Sequence, residues 1–508
     1  MTTHDATRAG SPSALLAAPT RRPWAALIVL ATAQFMVFLD ETVVNVALPS
    51  IKAGLGFTQP GLAWVINAYM LTFGGLLLLG GRIADLYGRR RIFLLGTAVF
   101  GLASLLDGLA MSPELLIAAR GLQGAGAALA TPAALALITS LFPPGPERVR
   151  ALSIWGALSG LGFAVGILLG GILTDLASWR WVFLINVPIA VASVAIVPRF
   201  VKESRSTARP RFDILGAITL TAGMSTLVYA LLNAASAGWG APQTHALLAI
   251  ALTLLAAFGV IESRGTAPLI PLAILRNRRT LAPTAVQFLL GGSLISSLFL
   301  LTLYLQQILG YTPLQAGISY LPLAAGVGTA TGLANKWVPT QGPRRLAVVG
   351  LTLAGAGLVI LAHAPVHGSY LVNVLPALVL LGVGAGLAFV SITNAALATV
   401  DEAVAGLASA LLSTAVMLGG SLGLAVLASV ATARRNSLLD IGATQLAAQV
   451  GGLNLAFAVA ATGALTAALI AAVALIRKRA EMIGEPTRNG ELSPSGQDQS
   501  PTPSRHFE

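Results

Sequence analysis

The chain has 508 residues, 56% of them hydrophobic and 10% charged, with a mean hydropathy of +0.81 and a net charge of +12. Ordinary soluble chains carry about 25% charged residues, so this composition excludes a soluble domain and requires most of the chain to be solvated by lipid or by its own helices. The absence of cysteine excludes disulfides and thiolate metal sites.

Residues 1–23 lack the short apolar core and cleavage site of a signal peptide and read as a cytoplasmic tail. About fourteen apolar segments follow, near 24–48, 61–81, 92–111, 113–139, 151–174, 181–198, 214–234, 245–262, 281–306, 314–335, 346–363, 370–398, 405–430 and 453–476. Continuous apolar runs of about twenty residues suit spanning helices, whereas barrel strands are about half as long and alternate. The fold class is therefore an all-α integral membrane protein. With the amino terminus inside, all of the 31 Lys+Arg except Lys52, Arg120, Arg180, Arg434 and Arg435 fall in inner tails or loops. The positive charge is thus a topology signal, and it leaves no basic face for nucleic acid. An even number of spans returns the carboxyl terminus to the cytoplasm, and the polar stretch 478–508 reads as a disordered tail.

Six spans fill 24–200, a linker with two additional spans covers 201–280, and six more fill 281–477. Two six-helix halves suggest internal duplication, the common plan of secondary transporters. In the first span Asp40 and Glu41 interrupt an apolar run, and ionisable groups there are functional candidates by default. Gln34, Phe38 and Asn45 share a helical stripe with Glu41. The loop Gly81 to Phe93 packs Asp85 and four arginines between two spans. It reads either as a simple positive-inside anchor or as a conformational latch built from Gly81, Asp85, Gly88, Arg89 and Arg90.

Arg120, seven residues after Pro113, and Asp40, nine before Pro49, lie at a similar depth, roughly 10–14 Å from the outer surface. Equal depth on the first and fourth spans permits a contact between them, read either as a switchable proton-carrying pair or as a permanent structural pair. Glu41 is a second proton site, a counter-charge for a cationic substrate, or a water-facing acid. Asp107, Glu114 and Asp175 lie near outer helix ends, where water or headgroups are expected to solvate them. Gln123, Gln287, Gln306 and Asn394 are the further polar candidates for a substrate cavity, with Trp64, Tyr69 and Phe299 among the apolar ones. A mostly apolar cavity of this kind suits hydrophobic or amphipathic compounds. No His-Glu metal pair or serine–histidine arrangement suggests an enzyme, and neither cofactor nor metal is expected.

The loop Gly81-Arg82-Ile83-Ala84-Asp85-Leu86-Tyr87-Gly88-Arg89-Arg90 resembles the signature loop of the major facilitator superfamily, departing from it at Leu86. Arg120-Gly121-Leu122-Gln123-Gly124 is similar to that family's fourth-helix motif. Leu39-Asp40 through Pro49, Trp179 through Pro188, and Tyr304-Leu305-Gln306 with Gly317 and Leu321-Pro322 resemble segments of its fourteen-helix drug:proton antiporters. The fifth-helix motif, Gly162 through Gly166, Gly170 and Gly171, has Ile167 where the antiporters carry proline, which removes the expected kink. Val416 and Met417 stand where relatives often have Arg and Gln. The resemblance covers about residues 24–477. It implies a major-facilitator-type fold that exports organic compounds in exchange for protons by alternating access, as a monomer in a bacterial cytoplasmic membrane. The alternative is a proton-coupled symporter or facilitator for a small metabolite.

Overall fold

The computed structural model describes residues 23–205, 213–265, 268–269, 278–398 and 402–475; most of both expected tails and the two ends of the linker (206–212, and most of 266–277) lie outside the described residues. Local signals divide the apolar sequence into helices. Ser112, Asp213 and Thr444 each accept a backbone N–H at a helix start, and proline occupies a first-turn position after Ser112. The long helices are α1 (Pro23–Leu55), α2 (Trp64–Tyr87), α3 (Arg89–Gly108), α4 (Pro113–Leu141), α5 (Pro146–Leu176), α6 (Asn186–Phe200) and α7 (Ile214–Ala237). They continue with α8 (Pro242–Arg264), α9 (Arg278–Leu303), α10 (Leu321–Gln341), α11 (Pro343–Leu361), α12 (Leu375–Leu397), α13 (Glu402–Asp440) and α14 (Gln445–Ala474). Short helical turns at Trp181–Leu184 and Pro313–Ser319 precede α6 and α10, and a π turn, Tyr304–Ile308, ends α9.

Among the described residues, 12 helical spans are long and apolar enough to cross a membrane, against the fourteen expected. The two long helices outside that set are α5 and α10. Within α5 the segment Ala164–Leu176 is apolar but shorter, and glycine, threonine and a lysine dilute α10.

The helix pairings repeat at an interval of eight. In the first set α1 packs on α5 and α6, α2 on α4, and α3 on α4 and α6. In the second, α9 packs on α13 and α14, α10 on α12, and α11 on α12 and α14. The closest crossings repeat too. A Cβ at Gly96 would lie 2.6 Å from Ala130 N across α3–α4, and one at Gly350 would lie 2.6 Å from Gly384 O across α11–α12. Lipid gives little hydrophobic drive between helices, so glycine contacts that bring backbones together carry much of this packing. α7 and α8 pair with each other, and α7 also packs on α2 and α13.

Two sides are distinguished here. The arginine-loop side carries Arg82 to Arg91 between α2 and α3, and the far side carries Lys52 near the end of α1. The two sets meet along α2 and α13, where a Cβ at Gly74 would lie 2.8 Å from Met417 Cβ, and by further contacts toward the far side. Gln306 Nε2 donates to Val46 O (2.7 Å), Ser421 Oγ donates to Asn67 Oδ1 (2.9 Å), and the Pro313–Ser319 turn packs on α5.

Candidate functional site

Five elements converge on one buried carboxylate. Asp40 of α1 has no exposed surface, and Arg120 of α4 has 1%. Arg120 Nη1 donates to Asp40 Oδ2 (2.7 Å) and also to Gln123 Oε1, and its Nε donates to Val65 O on α2 (2.9 Å). The guanidinium lies over the Tyr69 ring, 4.5 Å from the centroid, with Phe183 at 5.8 Å. The other carboxylate oxygen, Oδ1, accepts from Gln123 Nε2 (2.8 Å) and from Asn186 Nδ2 at the start of α6 (2.8 Å). Gln123 Nε2 also donates to Ser104 Oγ on α3 (2.7 Å). A buried charge pair is costly unless its remaining hydrogen-bonding capacity is met, and here three donors serve the acid. The pair is enclosed by protein, not by lipid.

Gln123 therefore does not line a substrate cavity as expected; its amide is used up between Asp40, Arg120 and Ser104, because that face of α4 turns toward α1 and α3. Asn186 and Ser104 were missed as site residues, although a lone amide opening an apolar span is a signal that could have marked Asn186. Asp107 is a second correction. It is fully buried rather than solvated at a helix end, since the Trp181–Leu184 turn and the residues before it fold over the end of α3. Glu114 and Asp175 are exposed, as expected.

The remaining cavity candidates scatter. Glu41 and Phe38 are half-buried, and Gln34 and Asn45 are buried, with Asn45 Nδ2 donating to Glu41 O (3.1 Å). Gln287 is buried with its Oε1 unpartnered. Gln306 bridges the two helix sets, as described above, and Asn394 is exposed and donates to Val390 O of its own helix (2.8 Å). A far-side cavity of about 190 Å³ is lined instead by Lys52, Phe299, Gln307, Arg435, Gln449 and Leu453 among others, and it is polar.

The glycines of α5 form two contacts. Gly162, Gly166 and Gly170 face α1; a Cβ at Gly166 would lie 2.7 Å from Leu39 O. Gly171 faces the other helix set, where a Cβ would lie 2.7 Å from Pro313 O. Ile167 is buried in an unbroken α5, and its carbonyl would lie 3.0 Å from a Cβ at Gly317.

In the arginine loop, Gly88 takes φ +113, a conformation that only glycine adopts without strain, and so turns α2 directly into α3. Asp85 pairs with Arg89 (2.9 Å) across one helical turn. Glu203, which sequence reasoning passed over, holds the start of α3: its carboxylate accepts from the backbone N–H of Arg90 (3.0 Å) and Arg91 (3.2 Å). An acid at a helix amino terminus meets orphan donors and the positive end of the dipole. Glu203→Ala is expected to lower stability by about 1 kcal/mol, read as a small fall in the melting temperature of detergent-purified protein. Gly81 packs toward Pro132. Among the described residues no group of three His, Cys, Asp or Glu is placed to hold a metal ion.

Comparison with known proteins agrees with this architecture. The family model described as Major Facilitator Superfamily matches residues 30–424. The chain is 40% identical over 489 residues to the puromycin resistance protein pur8 of Streptomyces alboniger, covering 95% of this chain and 97% of that one. It is also 40% identical over 410 residues to the cephamycin export protein CmcT of Amycolatopsis lactamdurans, covering 80% and 84% respectively. A solved structure of a bacterial homolog to the human lysosomal transporter Spinster superposes with a TM-score of 0.66 at 17% identity, covering 90% of this chain and 98% of that one, which is a likeness of fold.

Proposed function

We propose, from the premise that the chain belongs to the Major Facilitator Superfamily, that it exports hydrophobic or amphipathic antibiotics or drugs across a bacterial cytoplasmic membrane in exchange for protons. The export reading draws on the relatives, which are named for resistance to puromycin and export of cephamycin. The coupling reading rests on one observation: an acid and an arginine that hydrogen-bond to each other at 2.7 Å while sealed inside the first helix set. Protonating Asp40 would remove the anion that Arg120 is held against. The guanidinium would then have to find other partners, and the helices carrying it would shift. Release of that proton on the opposite side would restore the pair.

The arginine-loop side is read as cytoplasmic from the positive-inside rule. In the state described, contacts such as Gln306–Val46 and Gly171–Pro313 join the helix sets on the far, outer side, which suits a carrier poised to load from within. Both helix sets belong to one chain, so a monomer suffices.

In everted vesicles loaded with acid, adding puromycin should draw protons out of the lumen. A symporter would move protons with the compound instead, and an uncoupled facilitator would leave the lumen pH unchanged; either result would overturn antiport. A further expected outcome concerns Glu41, which is half-buried beside the pair. Glu41→Gln should weaken resistance to cationic compounds several-fold while sparing neutral ones, measured as minimal inhibitory concentrations in a pump-deficient host.

A further inference from the structure

Asp107 shares its surroundings with the ion pair but takes no part in it. It sits in the last turn of α3 with none of its surface exposed, and both carboxylate oxygens are buried without a hydrogen-bond partner. Asp40, by contrast, is met by three donors. An ionised carboxylate removed from water without donors costs several kcal/mol, whereas the protonated acid is only a small neutral polar group. One turn back on the same helix, Ser104 joins Gln123 and through it Asp40.

The groups around this end of α3 are few. α4 presents Arg120, and Glu114, which is exposed; α2 presents Tyr69; α1 presents Asp40 and, next to it, the half-buried Glu41. The only charged residue of α6, Arg199, lies in its last turn at the other side. Arg180, just before the Trp181–Leu184 turn, does not neutralise Asp107. Its Nη1 donates to Gly108 O (3.2 Å) and Ala110 O (2.6 Å), and its guanidinium stacks on Trp179 at 4.4 Å. It roofs the end of α3 and separates Asp107 from the far side. Asp107 is within electrostatic reach of Arg120 and Asp40.

We propose that Asp107 is a second proton-binding residue, which holds a proton in this state and shares with Asp40 the single guanidinium of Arg120. Apart from Glu41, the trio of Asp40, Asp107 and Arg120 is neutral when one proton is held between the two acids. Transfer breaks an O–H bond on Asp107 and makes one on Asp40, and the charge of Arg120 is countered before and after. Its place one residue from the outer end of α3 makes Asp107 the station nearer the outside, loading Asp40 from that direction once the Arg180 roof opens. The proposal rests on the proton-exchange reading above.

The test compares wild type, Asp107→Asn, Asp107→Glu and Asp40→Asn in liposomes at neutral pH. Infrared spectra of the wild type should contain the carbonyl band of a protonated carboxylic acid that Asp107→Asn lacks and Asp107→Glu shifts. Proton release from acid-loaded vesicles on adding puromycin should fall about tenfold or more in Asp107→Asn, with part of it restored in Asp107→Glu. A wild-type spectrum without such a band overturns the proposal, as does an Asp107→Asn protein with the wild-type band and pH profile. If Asp107→Asn fails to reach the membrane, the presence of the band in wild type and its shift in Asp107→Glu decide the matter. Unchanged proton release in Asp40→Asn would sink the exchange reading itself. Loss in Asp40→Asn with wild-type behaviour in Asp107→Asn would sink only the second site.

Discussion

Asp40→Asn is expected to reduce proton-coupled export to the background of cells lacking the protein, with the chain still present in the membrane. Asn keeps the shape of the side chain and a carbonyl for Asn186 or Gln123 to donate to, but it removes the anion. Arg120 is then a cation with 1% exposure whose remaining partners are Val65 O, Gln123 and the Tyr69 ring. Leaving one member of a buried pair uncompensated costs about 3–5 kcal/mol, so the variant should also melt at a lower temperature. Arg120→Gln added to Asp40→Asn restores neutrality and should recover much of that stability without recovering transport. That split separates a coupling pair from a purely structural one, for which the stabilised double variant would also regain proton-coupled export. Proton flux in everted vesicles and melting in detergent are the two measurements. Normal proton-coupled export by Asp40→Asn would refute the role.

Gly171→Leu should act through the conformational equilibrium instead. α5 meets the Pro313–Ser319 turn so closely that a Cβ at Gly171 would lie 2.7 Å from Pro313 O and 3.0 Å from Leu314 Cα. Both neighbours are backbone, so neither can rotate away as a side chain would. Overpacking of this kind costs about 1–3 kcal/mol, and the strain is relieved by parting the two helix sets on the far side. The equilibrium should shift about 5–150-fold toward the outward-open state. The chain contains no cysteine, so a single reporter introduces no background labelling. Val46 is buried beneath the Gln306 contact and suits that purpose. In a Val46→Cys background, Gly171→Leu should raise labelling by a membrane-impermeant maleimide applied from outside, and it should slow export because resealing is disfavoured. Equal labelling with and without Gly171→Leu would show that this contact is not the outer seal.

How far each feature could be read in advance depended on its dimension. The membrane class, the order of helices and the loop that turns α2 into α3 follow from apolar run length, charge placement and one obligatory glycine. That Asp40 and Arg120 lie at one level, which a contact requires, follows from counting from Pro49 and Pro113 because a helix rises 1.5 Å per residue. Counting says nothing of azimuth or of what lies across the gap. Gln123 points to Asp40 rather than a cavity because α1 and α3 close on that face of α4, and Asn186 reaches Asp40 because the start of α6 is folded in beside it. Asp107 shows the limit most plainly. Its place one residue from the end of α3 predicts water, and only the turn carried over it from another part of the chain makes it dry. Sequence by itself determined what must be in the membrane and at what level; packing between helices, which no single helix encodes, decided which polar groups are partnered and which are left alone.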